Sequence, residues 1–291
     1  MKKCVILSMD DCSEYEVSDN LLIEPLNDAG WHCDTLSWRA KGICWDDYQL
    51  VMVRSPWDYQ LDCQAFLKVL AEIDESSAHL DNPLNIIQWN IDKKYLRALH
   101  NDGIEIVPTL WCNDIKQGDI TTYFSQLNSP EIVIKPCISA GAFDTYRLTL
   151  VQAIEQEQLL LAKFHQRDFM VQPFIPEIIE EGEFSLFYFD DQFSHAILKT
   201  PQQNDYRVQE EFGGFIRKVT PEPALKLHAE KVLKVINTSL LYARLDFVRT
   251  RSGFALMEAE LIEPSLYFNL DEQSPQRFVD AMVRRMKRLK L

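Results

Sequence analysis

The chain has 291 residues, is 46% hydrophobic, and carries 44 acidic against 30 basic side chains, for a formal net charge of −14. That length and composition can bury a substantial core, in two domains or in one large one split by a cleft. The acidic balance argues against a general nucleic-acid surface, and no apolar stretch approaches the roughly 20 residues of a membrane span.

The opening MKKCVILSMDD starts basic, but its apolar run of about five residues is too short for a signal peptide, so a cytoplasmic protein is expected. The seven cysteines (4, 12, 33, 44, 63, 112 and 137) form no C-x-x-C pair, which points to reduced thiols rather than disulfides or zinc. The first ninety residues alternate strand and helix. CVILSM reads as a strand, LLIEPLNDAG as a helix closed by Gly30, and WHCDTLSW and YQLVMV as further strands. A helix from Asp62 places Phe66, Leu70 and Ile73 on one face. This rhythm predicts a parallel sheet with crossover helices, and the missing G-x-G-x-x-G disfavours a dinucleotide site.

A second unit is expected from about Asn90, opening with a helix over DKKYLRAL that stops at Gly103. VPTLW, a helix around 115–127, the strand EIVIK, a loop at 138–142, the strand DTYRLTL, a helix around 151–164 and the strand DFMVQPF follow. From residue 183 the pattern changes to hairpins, with EFSLFYF turning at Asp190-Asp191 into QFSHAILK. A helix starting at Thr220-Pro221, the pair ARLDFV and FALMEAEL, and a helix from Ser274-Pro275 close the chain. The terminal RRMKRLKL places cations where they suit a helix dipole; an interaction tail is the alternative.

The stretch FALMEAELIEPSLYF carries Glu258, Glu260 and Glu263 among apolar neighbours. A three-residue R-S-G loop with Gly253 at its left-handed position would set Asp246 opposite Glu258, with Glu260 on the same face. Like charges so placed call for a cation, and hard oxygen ligands suit Mg²⁺ beside phosphates. A solvated face with an Arg244–Glu260 pair is the competing reading. Lys135 is the sole charge in IVIKPCISAGA and precedes a small-residue loop, Ser139-Ala140-Gly141-Ala142, that would let backbone amides approach a phosphate. Lys93, expected in the first turn of a helix, opposes the dipole there and makes sense beside an anion. Ordinary surface lysines are the alternative for both.

The order DKKYL, VIKP with its small-residue loop, MVQPFI, GEFS, DYRVQ followed by GG, ARLD and MEAE resembles the ATP-grasp superfamily from about residue 85 onward. Within it the chain is similar to the RimK and glutathione-synthetase-like branch, and most to the group of the O-ureido-serine cyclo-ligase. RSPWDY, NPLNIIQWNIDKKYL, FSHAILK and ELIEPSLYF look like that group's signatures. The resemblance implies an α/β ATP-grasp fold: an N-terminal parallel α/β domain (1–90), a central subdomain (91–170) and a C-terminal subdomain with the metal site (171–291), the latter two α+β and clasping ATP.

Carried over, Lys93 and Lys135 would hold phosphates, with Ser139 and Gly141 in the loop beside them. Gln172, Phe174 and Ile175 would line the adenine slot, and Glu183 would contact the ribose. Arg207, with Lys135, would stabilise charge at the reacting centre. Asp246, Glu258 and Glu260 would hold one or two Mg²⁺ (or Mn²⁺) ions. The chain departs from the family pattern in having Gln172 for the usual hinge acid, Glu258-Ala-Glu260 for Glu-x-Asn, and a single glycine in the loop.

The implied chemistry activates a carboxylate with the terminal phosphoryl of ATP and then admits an amine. It relies on positioning and charge neutralisation. RSPWDY follows YQLVMV at the carboxyl end of a strand, where α/β ligands bind. Arg54, Ser55, Trp57 and Tyr59, with Lys199, are the expected acceptor contacts, a structural turn at Ser55-Pro56 being the alternative. His195 reads as a packed or substrate-orienting histidine rather than a base. The expected substrate is a small amino-acid-like carboxylate, with intramolecular cyclisation included, and with neither nucleic acid nor membrane as partner. Related ligases commonly form dimers or tetramers. A RimK-like ligase acting on a protein or peptide terminus, a non-catalytic nucleotide-binding regulator and a metal-dependent phosphohydrolase are the rivals.

Overall fold

A computed structural model describes residues 1–139, 141–202, 207–208 and 213–290. Ala140 of the small-residue loop and Asp205, Tyr206 and Gln209 of the DYRVQ stretch lie outside the described residues. The chain is a mixed α/β protein with one parallel and two antiparallel sheets.

The N-terminal sheet has the order β2-β1-β3-β4 and is parallel throughout, from β1 (Lys2–Ser8), β2 (Trp31–Ser37), β3 (Leu50–Ser55) and β4 (His79–Asp81). Its connections run through α1 (Ile23–Asp28) and α2 (Cys63–Asp74). Asp62 caps α2 by accepting from the Ala65 amide at 3.1 Å, and Phe66, Leu70 and Ile73 are fully buried, as their spacing predicts. The first helix is shorter than expected. A 3-10 turn over Asp19–Leu22 precedes α1, which holds Pro25 in its first turn where no amide is needed.

Two short helices, α3 (Leu84–Asn90) and α4 (Tyr95–Asn101), lead into the second sheet. That sheet is antiparallel with order β5-β8-β6-β7, from β5 (Leu110–Cys112), β6 (Glu131–Pro136), β7 (Tyr146–Thr149) and β8 (Phe169–Pro173). Strand β8 spans residues 170 and 171, so the sheet ends after the expected division. α5 (Asp119–Leu127), α6 (Leu150–Glu155) and α7 (Glu157–Phe164) cover it, and Gln156, with ψ 8°, breaks the single helix expected over 151–164.

After α8 (Glu177–Glu180) comes a five-stranded antiparallel sheet of order β11-β10-β9-β12-β13. It comprises β9 (Glu183–Phe189), β10 (Gln192–Thr200), β11 (Phe215–Val219), β12 (Tyr242–Thr250) and β13 (Gly253–Glu260). Gly182, at φ +121°, admits no side chain, because a Cβ there would lie 2.5 Å from the Lys199 carbonyl oxygen. α9 (Pro223–Ile236) begins two residues later than expected, because Glu222 is extended ahead of Pro223 and serves as the cap.

α10 (Ser274–Leu289) joins the first sheet to the third by burying Phe278, Val279, Met282 and Met286 against Phe187, Phe189 and Tyr242. Two arginines of the basic run on α10 are paired within the chain. Arg285 donates to both Asp81 carboxylate oxygens at 2.7 and 2.8 Å, and Arg288 pairs with Asp190 at 2.6 Å. No helix among the described residues is long and apolar enough to cross a membrane.

Candidate active site

The β12–β13 hairpin sets its acids by local register. Asp246 lies opposite Glu258 and Arg244 opposite Glu260. The turn is tighter than the sequence suggests, because Thr250 pairs with Gly253 and leaves two residues in the loop. All four side chains face a cleft of about 990 Å³ lined from the second and third sheets and from the loop after β3.

Each acid meets a cation. Glu258 contacts Lys93, Arg244 contacts Glu260 and donates to Asp246 Oδ2 at 3.0 Å, and Lys199 Nζ lies 2.9 Å from Glu183 Oε1 and 3.6 Å from Asp246 Oδ2. Burial works against the Glu258 carboxylate, but Lys93 and Lys135 outweigh it and hold the group below the usual carboxylate range. Asp246 is likewise held down against burial by Arg244 and Lys199. Burial, reinforced by Asp246 and Glu258, pushes Glu260 up to about 7 despite Arg244. Burial and the Glu260 charge push Glu263 up to about 8, although Tyr59 donates to it. Acids and cations are therefore interleaved in the cleft, and Glu260 and Glu263 are the carboxyls least stabilised in their charged form.

Among the described residues, no three His, Cys, Asp or Glu side chains form a ready-made cation cage. The acids nonetheless fit Mg²⁺, a hard cation that takes one or two carboxylates and fills its shell with phosphate oxygens and water. Glu258 and Glu260 could supply such carboxylates, with Asp246 across the hairpin from Glu258.

Lys135, on β6, lines the same cleft, and burial lowers its pKa. Lys93 requires a correction. It sits two residues ahead of α4, whose cap is Lys94, so it opposes no helix dipole. Its setting is instead a buried pairing with Glu258 across 165 residues. Ser139, Gly141, Gln172, Phe174, Ile175, Glu183 and Arg207 all line the cleft. Gln172 Nε2 donates to Thr109 Oγ1 at 3.0 Å, and the Arg147 guanidinium stacks 3.6 Å from the Phe174 ring centre.

The expected acceptor set divides. Trp57, Tyr59 and Lys199 line the cleft, whereas Arg54 and Ser55 do not. Arg54 is 1% exposed, pairs with Asp19 at 3.3 Å, donates to the Pro264 carbonyl at 2.7 Å and lies over the Tyr242 ring. It braces the wall behind the cleft and cannot clamp a substrate carboxylate. Ser55 is buried, its carbonyl accepting from the Met9 amide. His195 is packed as expected, stacked 4.2 Å from Phe187, and burial lowers its pKa to about 4.

Sequence reasoning gave no role to Thr109 or Tyr267, named Glu263 only among the carboxylates of its stretch, and offered Arg244 only as a partner of Glu260, a pairing the structure contains; Glu263, Arg244 and Tyr267 all line the cleft. Arg244 was legible as an i, i+2 neighbour of Asp246 on one strand face. Glu263 lies beyond the strand, where alternation gives no guidance.

Cleft, hairpin acids and sheet order together are those of an ATP-grasp fold. Residues 4–82 match the family described as D-cycloserine synthetase DcsG, N-terminal domain. The chain is 26% identical over 284 residues to the cycloserine biosynthesis protein DcsG of Streptomyces lavendulae, covering 91% of this chain and 93% of that protein. Its fold superposes on the crystal structure of D-cycloserine synthetase DcsG with a TM-score of 0.85 at 22% identity, over 98% of this chain and 99% of that one. A RimK domain ATP-grasp protein from Sphaerobacter thermophilus gives 0.71 at 16% identity, over 97% and 99%. A cyclo-ligase-like ATP-grasp assignment fits all of these.

Proposed function

We propose that the protein is an ATP-dependent carboxylate–amine ligase acting through an acyl phosphate on a small amino-acid-like substrate, releasing ADP and phosphate. The observation that carries this reading is the convergence of Lys93, Lys135, Lys199, Arg207 and Arg244 with Asp246, Glu258 and Glu260 in one cleft. A phosphohydrolase would need the acids but not so many cations. Similarity to DcsG makes intramolecular cyclisation one form of the reaction.

In this reading a substrate carboxylate oxygen attacks the terminal phosphorus, and ADP leaves. An amine then attacks the acyl carbon, loses its proton and expels phosphate. Lys93 and Lys135 hold the phosphates, with Ser139 and Gly141 beside them. Gln172, Phe174 and Ile175 take the base, Glu183 the ribose, and Arg207 the charge developing on the transferred group. Bound Mg²⁺, held by Asp246, Glu258 and Glu260, would neutralise phosphate charge. Lys93 is already matched to Glu258, so nucleotide and metal must divide this pair between them.

Calorimetric titration of ATP, with Mg²⁺ or with EDTA, into the wild type and Lys135→Ala tests the nucleotide site. The reading expects Mg²⁺-dependent binding, weakened tenfold or more by the substitution. Equal affinity in both proteins would remove Lys135 from the phosphate site.

A further inference from the structure

The segment after β13, residues 261–267, is not a strand, yet it runs through the buried interior beside the cleft. Irregular backbone inside a protein must find partners for its carbonyls. Here side chains from distant elements supply them one after another. Asn82 Nδ2 donates to Leu261 O at 2.7 Å, and Tyr242 Oη lies 2.9 Å from Ile262 O, its proton shared with Val53 O. Trp57 Nε1 donates to Glu263 O at 2.9 Å and Arg54 Nη2 to Pro264 O at 2.7 Å. Arg244 Nη1 reaches Ser265 O at 3.3 Å, and His195 Nε2 lies 3.1 Å from Leu266 O. A carbonyl only accepts, so His195 carries its proton on Nε2 while Nδ1 meets Ser194 Oγ.

Satisfying the backbone would explain these donors but not the side chains the ribbon displays. Pro264 and Leu266 are buried away from the cleft, while Glu263, Ser265 and Tyr267 line it. Glu263 sits near Glu258 and Glu260, with Tyr59 donating to it and Lys93 favouring its charge, and an apolar residue would cost less there. A carboxyl lining the cleft there has acceptor capacity to offer a donor that enters it. Trp57, which grips the Glu263 backbone, also forms the adjoining wall with Tyr59.

We propose that residues 263–267 form the acceptor-binding ledge, on which Glu263 and Ser265 receive the N–H donors of a small amine-bearing acceptor against the Trp57–Tyr59 wall. Arg54, Trp57 and His195 are positioning residues that fix the ledge from behind. This proposal rests on the ligase reading above and supplies its acceptor end. The ledge selects nitrogen compounds whose approaching end carries hydrogen-bond donors.

The test uses the full chain loaded with Mg²⁺·ADP for calorimetric binding, and with Mg²⁺·ATP for turnover. The probes are hydroxylamine, ethanolamine and the common amino acids in both D and L forms. At least one probe should bind the wild type, and Glu263→Gln and Glu263→Ala should weaken it tenfold or more with ADP affinity within twofold. Trp57→Phe should raise the KM of a turned-over probe more than it lowers kcat, which a loss of general stability would not do. Failure of every probe to bind the wild type, or equal binding by the Glu263 variants, overturns the ledge. Probe binding lost in the variants without ADP release keeps the ledge and removes the ligase reading.

Discussion

Glu258 is the residue on which most of the site turns, because it faces Asp246 across the hairpin and meets Lys93 from the turn before α4. Glu258→Gln should cut Mg²⁺-dependent ATP turnover by about 10²–10³-fold, in the range that single charge-stabilising groups contribute. Its thermal midpoint should fall by only a few degrees, since Lys93 still has Glu260 and Glu263 nearby. Normal turnover in the folded variant would sink the metal assignment. Glu263 makes a different prediction. Its folded pKa of about 8 lies above the ordinary value of 4.5, so the folded state holds a proton there that the unfolded state has released. Stability from this group is present below the unfolded value and lost as pH rises through the folded one. His195 and His228, both lowered by burial, change the slope only below about pH 6.5. The ligand-free protein should therefore lose thermal stability between about pH 6.5 and 8, and Glu263→Gln should reduce that slope, leaving the part that Glu260 contributes near pH 7. A rising or unchanged slope in the wild type would contradict the buried, protonated carboxyl.

The β12–β13 hairpin and the helix α10 show which features a sequence exposes. The facing of Asp246 to Glu258 is the expected one but is reached by compensation: the turn is one residue shorter than the sequence suggests, and a bulge between Asp246 and Phe247 restores the register. The cap and buried face of α2 were legible because both are local. Arg54 was not. RSPWDY reads as a ligand loop at a strand end, but the partner of Arg54 is a carbonyl 210 residues away, a contact no local pattern encodes. Lys93 was legible as a site residue but not as the partner of Glu258, and its helical setting was misjudged because α4 starts two residues later. Arg285 reads as one cation in a basic run, yet it is 5% exposed and neutralises Asp81, which is fully buried. Arg285→Met should cost about 3–5 kcal/mol by stranding that carboxylate. Adding Asp81→Asn should recover part of the loss, and denaturant unfolding of the two single variants and the double variant would measure the coupling. Strictly additive losses would mean that the pair does not anchor α10.

For the molecule as a whole, the three sheets meet around one cleft, and what binds there should hold them together. Saturating Mg²⁺·ATP at about 100 times Kd should add about 2.7 kcal/mol, a rise of roughly 4–5 °C in the thermal midpoint. The order of motifs from DKKYL to MEAE made the ATP-grasp architecture readable, because each motif belongs to a separate strand or loop that the fold brings to the same place. The ribbon at 261–267 was not readable as a unit, because its carbonyls are held by side chains from residue 54 to residue 244. The most direct test of the central claim is ADP formation from Mg²⁺·ATP across pools of amino acids, ureido acids and small peptides, beside an acceptor-free control. A ligase predicts ADP release stimulated by one pool and nearly absent from the control. Equal release with and without every pool would contradict it, marking the cleft as a phosphohydrolase site if release is steady and as a nucleotide sensor if it is nil.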